Sequence, residues 1–457
     1  MKKIFGYLIL LILFNNKVLF AASNEKTHSL PSPIMVLPFI ILLLMIATGP
    51  LFYHHFWEKK YPSVSFFLGS VTAVYYLVFL NDYHSLLHSF TEYISFIALL
   101  SSLFIVSGGI LIKIDKKSTP ALNSIILLIG SIIANLIGTT GASMLLIRPF
   151  IKINQDRIKP YHIIFFIFIV SNIGGALTPI GDPPLFLGFL RGIDFFWFIS
   201  HIWYIWLPTV LIIISMFYFI DSRNQLEENR TFSDKIEFKG LKNVFYLGLI
   251  LISVFLDPAV IKWIPNLSPF PLGIREIIMF SVAYISFVRA DKNILRSNEF
   301  DFEPIKEVAF LFIGIFITMI PALQLIAHEA KEMGEKINVS AFYWATGSLS
   351  AILDNAPTYL NFLSAELGKF GLDLNIKTDV HKFQSEYYLY LQAISVAAVF
   401  FGSMTYIGNG PNFMVKSISE RAGIRMPSFF AYVYKYSIPI LLPIFTLVWL
   451  IFYFGRR

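Results

Sequence analysis

Two carboxylates, Asp182 and Asp354, lie in stretches of sequence that are otherwise apolar and rich in Gly and Pro. An acid in such a segment is costly in lipid unless it is paired, so it is a functional candidate. Carboxylate oxygens are hard ligands that bind cations such as Na⁺, and the same group can accept a proton when the ion leaves. We therefore predict that both residues bind a cation or a proton. For Asp354 an alternative is open, because Asp-Asn-Ala-Pro is also typical of a helix start.

Uncharged polar residues accompany both acids. Their hydroxyl, amide and backbone oxygens could complete an ion site at the same depth, although each alone could simply satisfy the backbone. Asp182 and Asp354 are the candidate Na⁺ ligands. The other candidate residues for binding ion or substrate are Asn135, Thr139, Thr140, Thr178, Gly181, Asn355, Thr358, Thr405, Gly408, Asn409 and Asn412.

Two motifs, residues 178–184 and 405–412, combine these polar residues with Gly and Pro. Each motif lies in an apolar segment of about 30 residues, which is longer than the ~20 residues of one straight span. The pattern predicts that both helices are unwound near their centres. Unwound helices offer backbone carbonyls to cations and positive helix ends to anions. For either motif alone, a structural kink is the alternative.

The composition is that of a membrane protein. Of the 457 residues, 56% are hydrophobic and 14% are charged, and the mean hydropathy is +0.67. Globular proteins average about 25% charged residues, so lipid is the predicted solvent for most of this chain. The formal net charge of +7 comes from Lys and Arg in short loops between apolar runs, which indicates membrane topology rather than nucleic-acid binding.

The apolar runs and the loop charges predict an all-α polytopic membrane protein with about ten transmembrane helices, two re-entrant hairpins and two broken helices. The loop 81–92 contains no Lys or Arg and is predicted to be periplasmic. Arg456 and Arg457 would also lie outside, against the charge rule. The predicted spans are residues 33–52, 63–80, 93–112, 161–190, 195–220, 244–260, 273–288, 308–327, 387–415 and 428–450.

Two further apolar stretches are predicted to enter and leave the membrane on one side. Residues 121–148 have basic flanks at both ends, so a hairpin on the cytoplasmic side satisfies the charge rule where a span would not. Residues 341–363 have flanks of mixed charge and are predicted to form a hairpin on the periplasmic side.

The elements divide into two halves of opposite orientation, residues 33–220 and 242–455, joined by a cytoplasmic linker at 221–241. Each half has three spans, a hairpin and two spans, which is the plan of an inverted repeat. Matching residues support the repeat. Thr178, Gly181 and Asp182 match Thr405, Gly408 and Asn409 at an offset of 227 (405 − 178), and Ser131, Asn135 and Thr139 match Ser350, Asp354 and Thr358 at an offset of 219 (350 − 131).

Residues 1–22 have the layout of a signal peptide, with Lys2 and Lys3 before an apolar run and small residues at Ala21 and Ala22. An additional anchor helix is the alternative, although the run is shorter than the ~20 residues of a span. Together with the loop charges, the signal predicts a multi-pass protein of the bacterial inner membrane.

Several function classes find no support in the sequence. It contains no cysteine, which excludes disulfides, thiolate zinc sites and thiol nucleophiles. It also has no Walker-type loop, HExxH motif or nucleophile triad, so neither ATP-driven transport nor an enzyme is predicted. Arg148 and Arg191 adjoin the motifs and could hold an anionic substrate, but both lie at predicted membrane boundaries, where arginines commonly snorkel.

At these motifs the sequence resembles the ion transporter superfamily, specifically the NhaD-type sodium/proton antiporters and the related arsenite permeases and citrate-type carriers. The resemblance covers nearly the whole chain after the signal peptide and is most specific at residues 171–182 and 353–358. It implies a site between two hairpin tips and two unwound helices. The dicarboxylate branch typically carries Ser-Asn-Thr at both tips. This chain instead has Gly-Thr-Thr at 138–140 and Asp-Asn-Ala at 354–356, which favours a cation exchanger over a carboxylate carrier.

The residues and the resemblance together predict a Na⁺(or Li⁺)/H⁺ antiporter, in which cation and protons compete for Asp182 and Asp354 as the site opens to each side in turn. The alternative is a citrate, dicarboxylate or arsenite carrier on the same scaffold. A receptor that transports nothing would not need paired broken helices. No cofactor is expected besides the transported ions. The expected partners are small ions, the lipid bilayer and a second copy of the chain in a homodimer.

Overall fold

The computed structural model describes residues 30–456, apart from 225–232, 257–262, 266, 268, 269, 271 and 334–336. The predicted signal peptide lies outside the described residues. In the described part of the chain almost all regular structure is helical. The two strands found there, β1 (Leu111–Asp115) and β2 (Lys235–Lys239), form one antiparallel pair.

The helices follow the predicted spans, with several interruptions. Up to the linker they are α1 (Leu37–Phe52), α2 (His54–Val78), α3 (Tyr83–Gly108), α4 (Pro120–Ile153), α5 (Pro160–Ile169), α6 (Pro183–Leu190) and α7 (Phe195–Asp221). After the linker they are α8 (Lys242–Val254), α9 (Ile274–Arg289), α10 (Lys292–Ser297), α11 (Glu303–Met333), α12 (Val339–Ser350), α13 (Asn355–Lys369), α14 (Lys377–Glu386), α15 (Tyr388–Phe401), α16 (Gly410–Arg421) and α17 (Phe429–Phe452).

By length and composition alone, six helices among the described residues could cross a membrane, namely α2, α3, α4, α7, α11 and α17, although α4 is bent back on itself at Gly138. The count rises to seven if α14 and α15, which meet at 94°, form one bent span. The chain is therefore a multi-pass, all-α membrane protein. The expected count of about ten is not reached by helix length, because predicted spans such as 161–190 are divided into shorter helices.

Two helices begin earlier than the apolar pattern predicts. Helix α2 starts at His54, so the polar residues before position 63 are helical, and α3 starts at Tyr83 inside the loop predicted at 81–92. Asp82 caps α3 by accepting a hydrogen bond from the backbone N–H of Ser85 at 3.0 Å. Polar turns can extend a helix past its apolar section, so hydropathy alone places these starts too late.

The third span was predicted to end at residue 112, and this boundary is wrong for residues 111 and 112, which belong to β1 (Leu111–Asp115). This strand pairs with β2 from the linker, with Ile112 opposite Phe238 and Lys113 opposite Glu237. The partner strand lies far away in sequence, so no local pattern could reveal the pairing.

Helix α4 is folded back on itself at Gly138. This residue has φ 79° and ψ 155°, a left-handed conformation that glycine adopts without strain. A straight helix of 34 residues would be about 51 Å long. Instead its two ends meet, because Asn123 Nδ2 donates to Asn154 Oδ1 at 2.8 Å and Asn154 Nδ2 donates to Asn123 Oδ1 at 2.9 Å. The segment is a helical hairpin with its tip at Gly138, which we call hairpin 1.

Helices α12 and α13 form a second helical hairpin, hairpin 2. The helical conformation is interrupted at Asp354, which has φ −58° and ψ 135°. The two arms pack against each other, since the ring centroids of Phe342 and Phe362 are 6.3 Å apart.

Two broken helices contribute the other central segments. Helix α5 is apolar after its first turn and is buried from His162 to Ile169, and it is followed by the irregular segment 170–182 before α6. Helix α15 is likewise followed by the irregular segment 402–409 before α16. The residues that precede the two following helices have nearly the same extended backbone, with φ/ψ of −144°/143° at Asp182 and −154°/142° at Asn409.

The meeting ends of hairpin 1 give a test of topology. Lys117, Asp156 and His84 are exposed, and the chain has no native cysteine to interfere. We expect an impermeant thiol reagent to label His84→Cys in intact cells, but to label Lys117→Cys and Asp156→Cys only after the membrane is opened. Labelling of only one of residues 117 and 156 in intact cells would contradict a hairpin on the cytoplasmic side.

Candidate functional site

The side chain of Asp182 lies at the meeting point of both hairpin tips and both broken helices. It is 1% exposed. Its Oδ1 accepts hydrogen bonds from Thr139 Oγ1 at 2.7 Å and from Asn409 Nδ2 at 3.0 Å, and its Oδ2 accepts one from Asn355 Nδ2 at 2.6 Å. The sequence predicted these four residues as parts of one site, and the structure brings them together.

Four helix starts converge on this carboxylate. Thr139 begins the second arm of hairpin 1, and Asn355 begins the second arm of hairpin 2. Asp182 and Asn409 are the residues before α6 and α16. Helix N-termini carry partial positive charge and stabilise an anion, so the backbone also favours negative charge at the centre.

Backbone contacts fix each hairpin tip on a broken helix. In hairpin 1 the N–H of Thr139 donates to Gly181 O at 2.8 Å, and Thr178 Oγ1 donates to Asn135 O at 2.6 Å. In hairpin 2 the matching contact runs from Thr405 Oγ1 to Ala351 O, also at 2.6 Å. Each threonine hydroxyl also accepts the N–H of the glycine three residues later, at 3.0 Å in both motifs.

These contacts correct the spacing that the sequence suggested for the tips. Asp182 and Asn409 are 227 positions apart, as expected. At the tips, however, Thr139 corresponds to Asn355, and Asn135 to Ala351, which is an offset of 216 (355 − 139) rather than 219. The two offsets differ by three residues, which is nearly one helical turn, so residues on the same face of the helix align at either offset.

A chain of asparagines links the two broken helices behind Asp182. Asn409 Nδ2 lies 3.2 Å from Asn172 Oδ1, and Asn172 Nδ2 donates to Asn412 Oδ1 at 2.6 Å. Asn412 in turn donates to the backbone oxygens of Gly402 and Thr405. Sequence reasoning did not single out Asn172. Asn172 could have been found as a polar amide that follows a long apolar run, within the segment 171–182 on which the family resemblance rests.

Asp354 occupies a different position from Asp182. Its carboxylate accepts the N–H of Ala356 at 3.0 Å, so it caps α13, as the alternative reading of its motif proposed. It lies within electrostatic range of Asp182 but makes no hydrogen bond to it. Thr358 donates to the backbone oxygen of Asp354 and does not reach Asp182.

The remaining candidate residues support the backbone or line a cavity. Asn135 uses its amide to hold Gly174 O and the N–H of Leu177. Thr140 has no hydrogen bond to Asp182 and instead lines a small cavity at the tip of hairpin 1, together with Leu100 and Phe104 of α3.

Neither arginine that the sequence offered as an anion ligand reaches this centre. Arg148 pairs with Glu299 at 3.3 Å. Arg191 makes two short contacts with buried Glu92, each 2.7 Å, and a further bond to Asn375. Among the described residues, no ion pair includes Asp182.

The side chains around Asp182 have the chemistry of a site for a small cation. Carboxylate, hydroxyl and amide oxygens are its natural ligands. Asn355 Oδ1 is buried and has no hydrogen-bond partner among the described residues. Rotation of that amide by half a turn would bring this oxygen beside Asp182 Oδ2, so the same groups can hold either a hydrogen-bonded carboxylate or a metal ion.

The fold and the site define a class: a multi-pass membrane protein whose buried carboxylate is held between two hairpin tips and two broken helices. The comparison with known families is more specific. The profile of a family described as "Putative citrate transport" matches residues 27–453, nearly the whole chain. The chain therefore belongs to this citrate-transport family, which is a family of transporters and not of enzymes. A comparison with curated proteins found no match.

The contact between Thr139 and Asp182 predicts a difference between adjacent threonines. Thr139→Val removes a hydroxyl donor from a buried carboxylate and should lower the free energy of unfolding by about 1–3 kcal/mol. Thr140→Val is the matched control and should change it little. Thermal unfolding of the purified variants measures both. Equal shifts for the two variants would contradict the assigned contact.

Proposed function

We propose that this member of the citrate-transport family is a secondary active transporter that exchanges Na⁺ or Li⁺ for protons at Asp182. The observation that carries the proposal is the surroundings of that carboxylate. It has three neutral donors and, among the described residues, no Lys or Arg within ion-pair distance. A buried negative charge with no fixed positive partner favours a cation or a proton.

The exchange follows from competition for the same oxygens. When Asp182 holds a proton, it no longer offers a full negative charge to Na⁺. When Na⁺ binds, the proton must leave. Asp354 lies within electrostatic range of Asp182, so binding of a cation or proton at one acid changes the affinity of the other. After the proton leaves and before Na⁺ binds, the partial positive charge of the converging helix N-termini stabilises the carboxylate.

An inverted repeat would give this site access to both sides in turn. We propose ten spanning helices in two related halves, 33–220 and 242–455, with hairpins 1 and 2 entering from opposite sides. The support is the matched geometry of the two motifs. Asp182 and Asn409 share one backbone conformation, and Thr178 and Thr405 make equivalent bonds to their own hairpins. Inverted repeats of this kind carry alternating access in other transporters.

The second candidate function is transport of citrate or a related anion, and the family description favours it. The converging helix starts are the feature that suits an anion. A cation bound at Asp182 would neutralise the centre and let a carboxylate approach. Against a direct role for Arg148 and Arg191, both guanidinium groups already contact glutamates.

Location and assembly belong to the same proposal. The bacterial inner membrane suits a carrier driven by ion gradients, and a homodimer is the assembly that we propose. The transported ions are substrates, and the mechanism requires no resident cofactor.

Replacement of Asp182 separates the two candidate functions. Asp182→Asn keeps the shape but cannot exchange a proton for a cation, so Na⁺-driven proton movement in proteoliposomes should fall to the level of protein-free vesicles. Asp156→Asn, at an exposed carboxylate, is the control and should retain full exchange. Citrate uptake is measured in the same vesicles. Citrate uptake without Na⁺ that survives in Asp182→Asn, with no Na⁺/H⁺ exchange in the parent protein, would overturn the antiporter proposal and support the citrate carrier.

A further inference from the structure

Glu366, near the end of α13, is a buried acid whose side chain makes no hydrogen bond to any residue that the structure describes. It is 0% exposed, and neither carboxylate oxygen has a partner among the described residues. The other buried acids differ in this respect. Glu92 contacts Arg191, and Asp221 contacts Arg157 at 2.8 Å. Among the buried acids that the structure describes, Glu366 is therefore the one whose carboxylate has neither a hydrogen bond nor an ion pair to stabilise its charge.

The direction of the Glu366 side chain follows from the packing of α13. Ser364 donates to Leu323 O at 2.8 Å, and Gly368 lies directly against the backbone of Ala327, so this side of α13 contacts α11. Glu366 is two residues from both, which places it on the opposite side of the helix. There it lies within electrostatic range of Tyr390 on α15.

Tyr453, just after α17, is a second buried tyrosine in this region. It lies within electrostatic range of Glu366, it is fully buried, and its hydroxyl has no hydrogen-bond partner among the described residues.

Glu366 shares one face of α13 with the residue that contacts the central acid. Asn355, Tyr359 and Glu366 follow one another at helical spacing, over about 16 Å. Tyr359 is fully buried between them and lies within electrostatic range of Glu366. One rigid helix therefore joins Asp182's partner Asn355 to a second buried acid.

The cation nearest to Glu366 along its own helix does not neutralise it. Lys369 lies one turn further on, within electrostatic range of Glu366, but neither carboxylate oxygen of Glu366 accepts a hydrogen bond from it. Its Nζ lies 3.3 Å from Tyr390 Oη and 4.5 Å from the centroid of the Phe370 ring. A carboxylate buried without hydrogen bonds or an ion pair is strongly disfavoured, so the neutral acid is the form that fits here.

We propose that Glu366 is a second proton-binding site of the transporter, occupied by a proton in this conformation. When hairpin 2 moves and α13 exposes this face, Glu366 releases the proton to water, and Lys369 at the i+3 position can pair with the resulting carboxylate. Transport of this proton rests on the function proposed above. The protonation of Glu366 in this conformation is independent of that function.

The protonation state can be read directly. Infrared spectra of the purified protein in lipid at neutral pH should show the carbonyl band of a protonated carboxylic acid, and Glu366→Gln should lose that band. Asp182→Asn should keep it. Glu92→Gln is the matched control at a buried glutamate that has an ion-pair partner, and it should also keep the band while lowering the melting temperature. If the band persists unchanged in Glu366→Gln, Glu366 is ionised and the proposal is wrong.

Transport then tests whether the proton moves. In proteoliposomes, Glu366→Gln should carry fewer protons per Na⁺ than the parent protein, although its melting temperature at neutral pH should be unchanged, because a neutral amide replaces a neutral acid. An unchanged proton-to-Na⁺ ratio would overturn a transported proton at Glu366. Absence of Na⁺/H⁺ exchange in the parent protein would instead remove the function proposed for Asp182, and the infrared band would still decide the protonation of Glu366.

Discussion

The buried carboxylate of Asp182 is the constraint on which the central part of the structure depends. A charge with little water around it is tolerable only if donors surround it, and here the donors come from three other segments. Thr139, Asn355 and Asn409 lie on hairpin 1, hairpin 2 and the second broken helix. These segments must therefore meet at one point. In each of them a helix begins beside Asp182, so that the partial positive charge of its N-terminus faces the acid.

Close approach of the backbones makes this meeting possible. A Cβ added at Gly181 would lie 2.1 Å from Gly175 O, and one added at Gly408 would lie 2.6 Å from Gly402 O, so each broken helix is folded tightly on itself at two glycines. With each hairpin tip bonded to its broken helix, a tip and its helix form one packed unit. In the proposed mechanism, movement of one unit against the other would change the donors around Asp182 and would thereby couple access to the site with the protonation of Asp182.

Much of this arrangement could be predicted from residue types. Acids, amides and Gly-Pro motifs in apolar sequence indicated the four residues at the centre, and α7 (Phe195–Asp221) nearly coincides with the span predicted at 195–220. What could not be predicted depends on distant partners. Asn172 bonds to Asn412, which is 240 positions away in the sequence, and Arg191 is paired with Glu92, which is 99 positions away. Asp354 illustrates another limit, because the same four residues favour a helix cap and an ion ligand, and only the contact to Ala356 shows the cap.

The central claim is that Na⁺ and protons compete for one carboxylate between the two broken helices. Its most direct test is Na⁺ binding to the purified protein across pH, with the double variant Asp182→Asn/Asn409→Asp for comparison. Below the pKa of the carboxylate, the account predicts a loss of Na⁺ affinity that approaches tenfold per pH unit, as for competition with one proton. Because residues 182 and 409 are in contact, the double variant, which moves the acid to the other helix, should keep part of the affinity and the same pH dependence. Na⁺ affinity that does not change with pH, or binding that is intact in Asp182→Asn alone, would contradict the account.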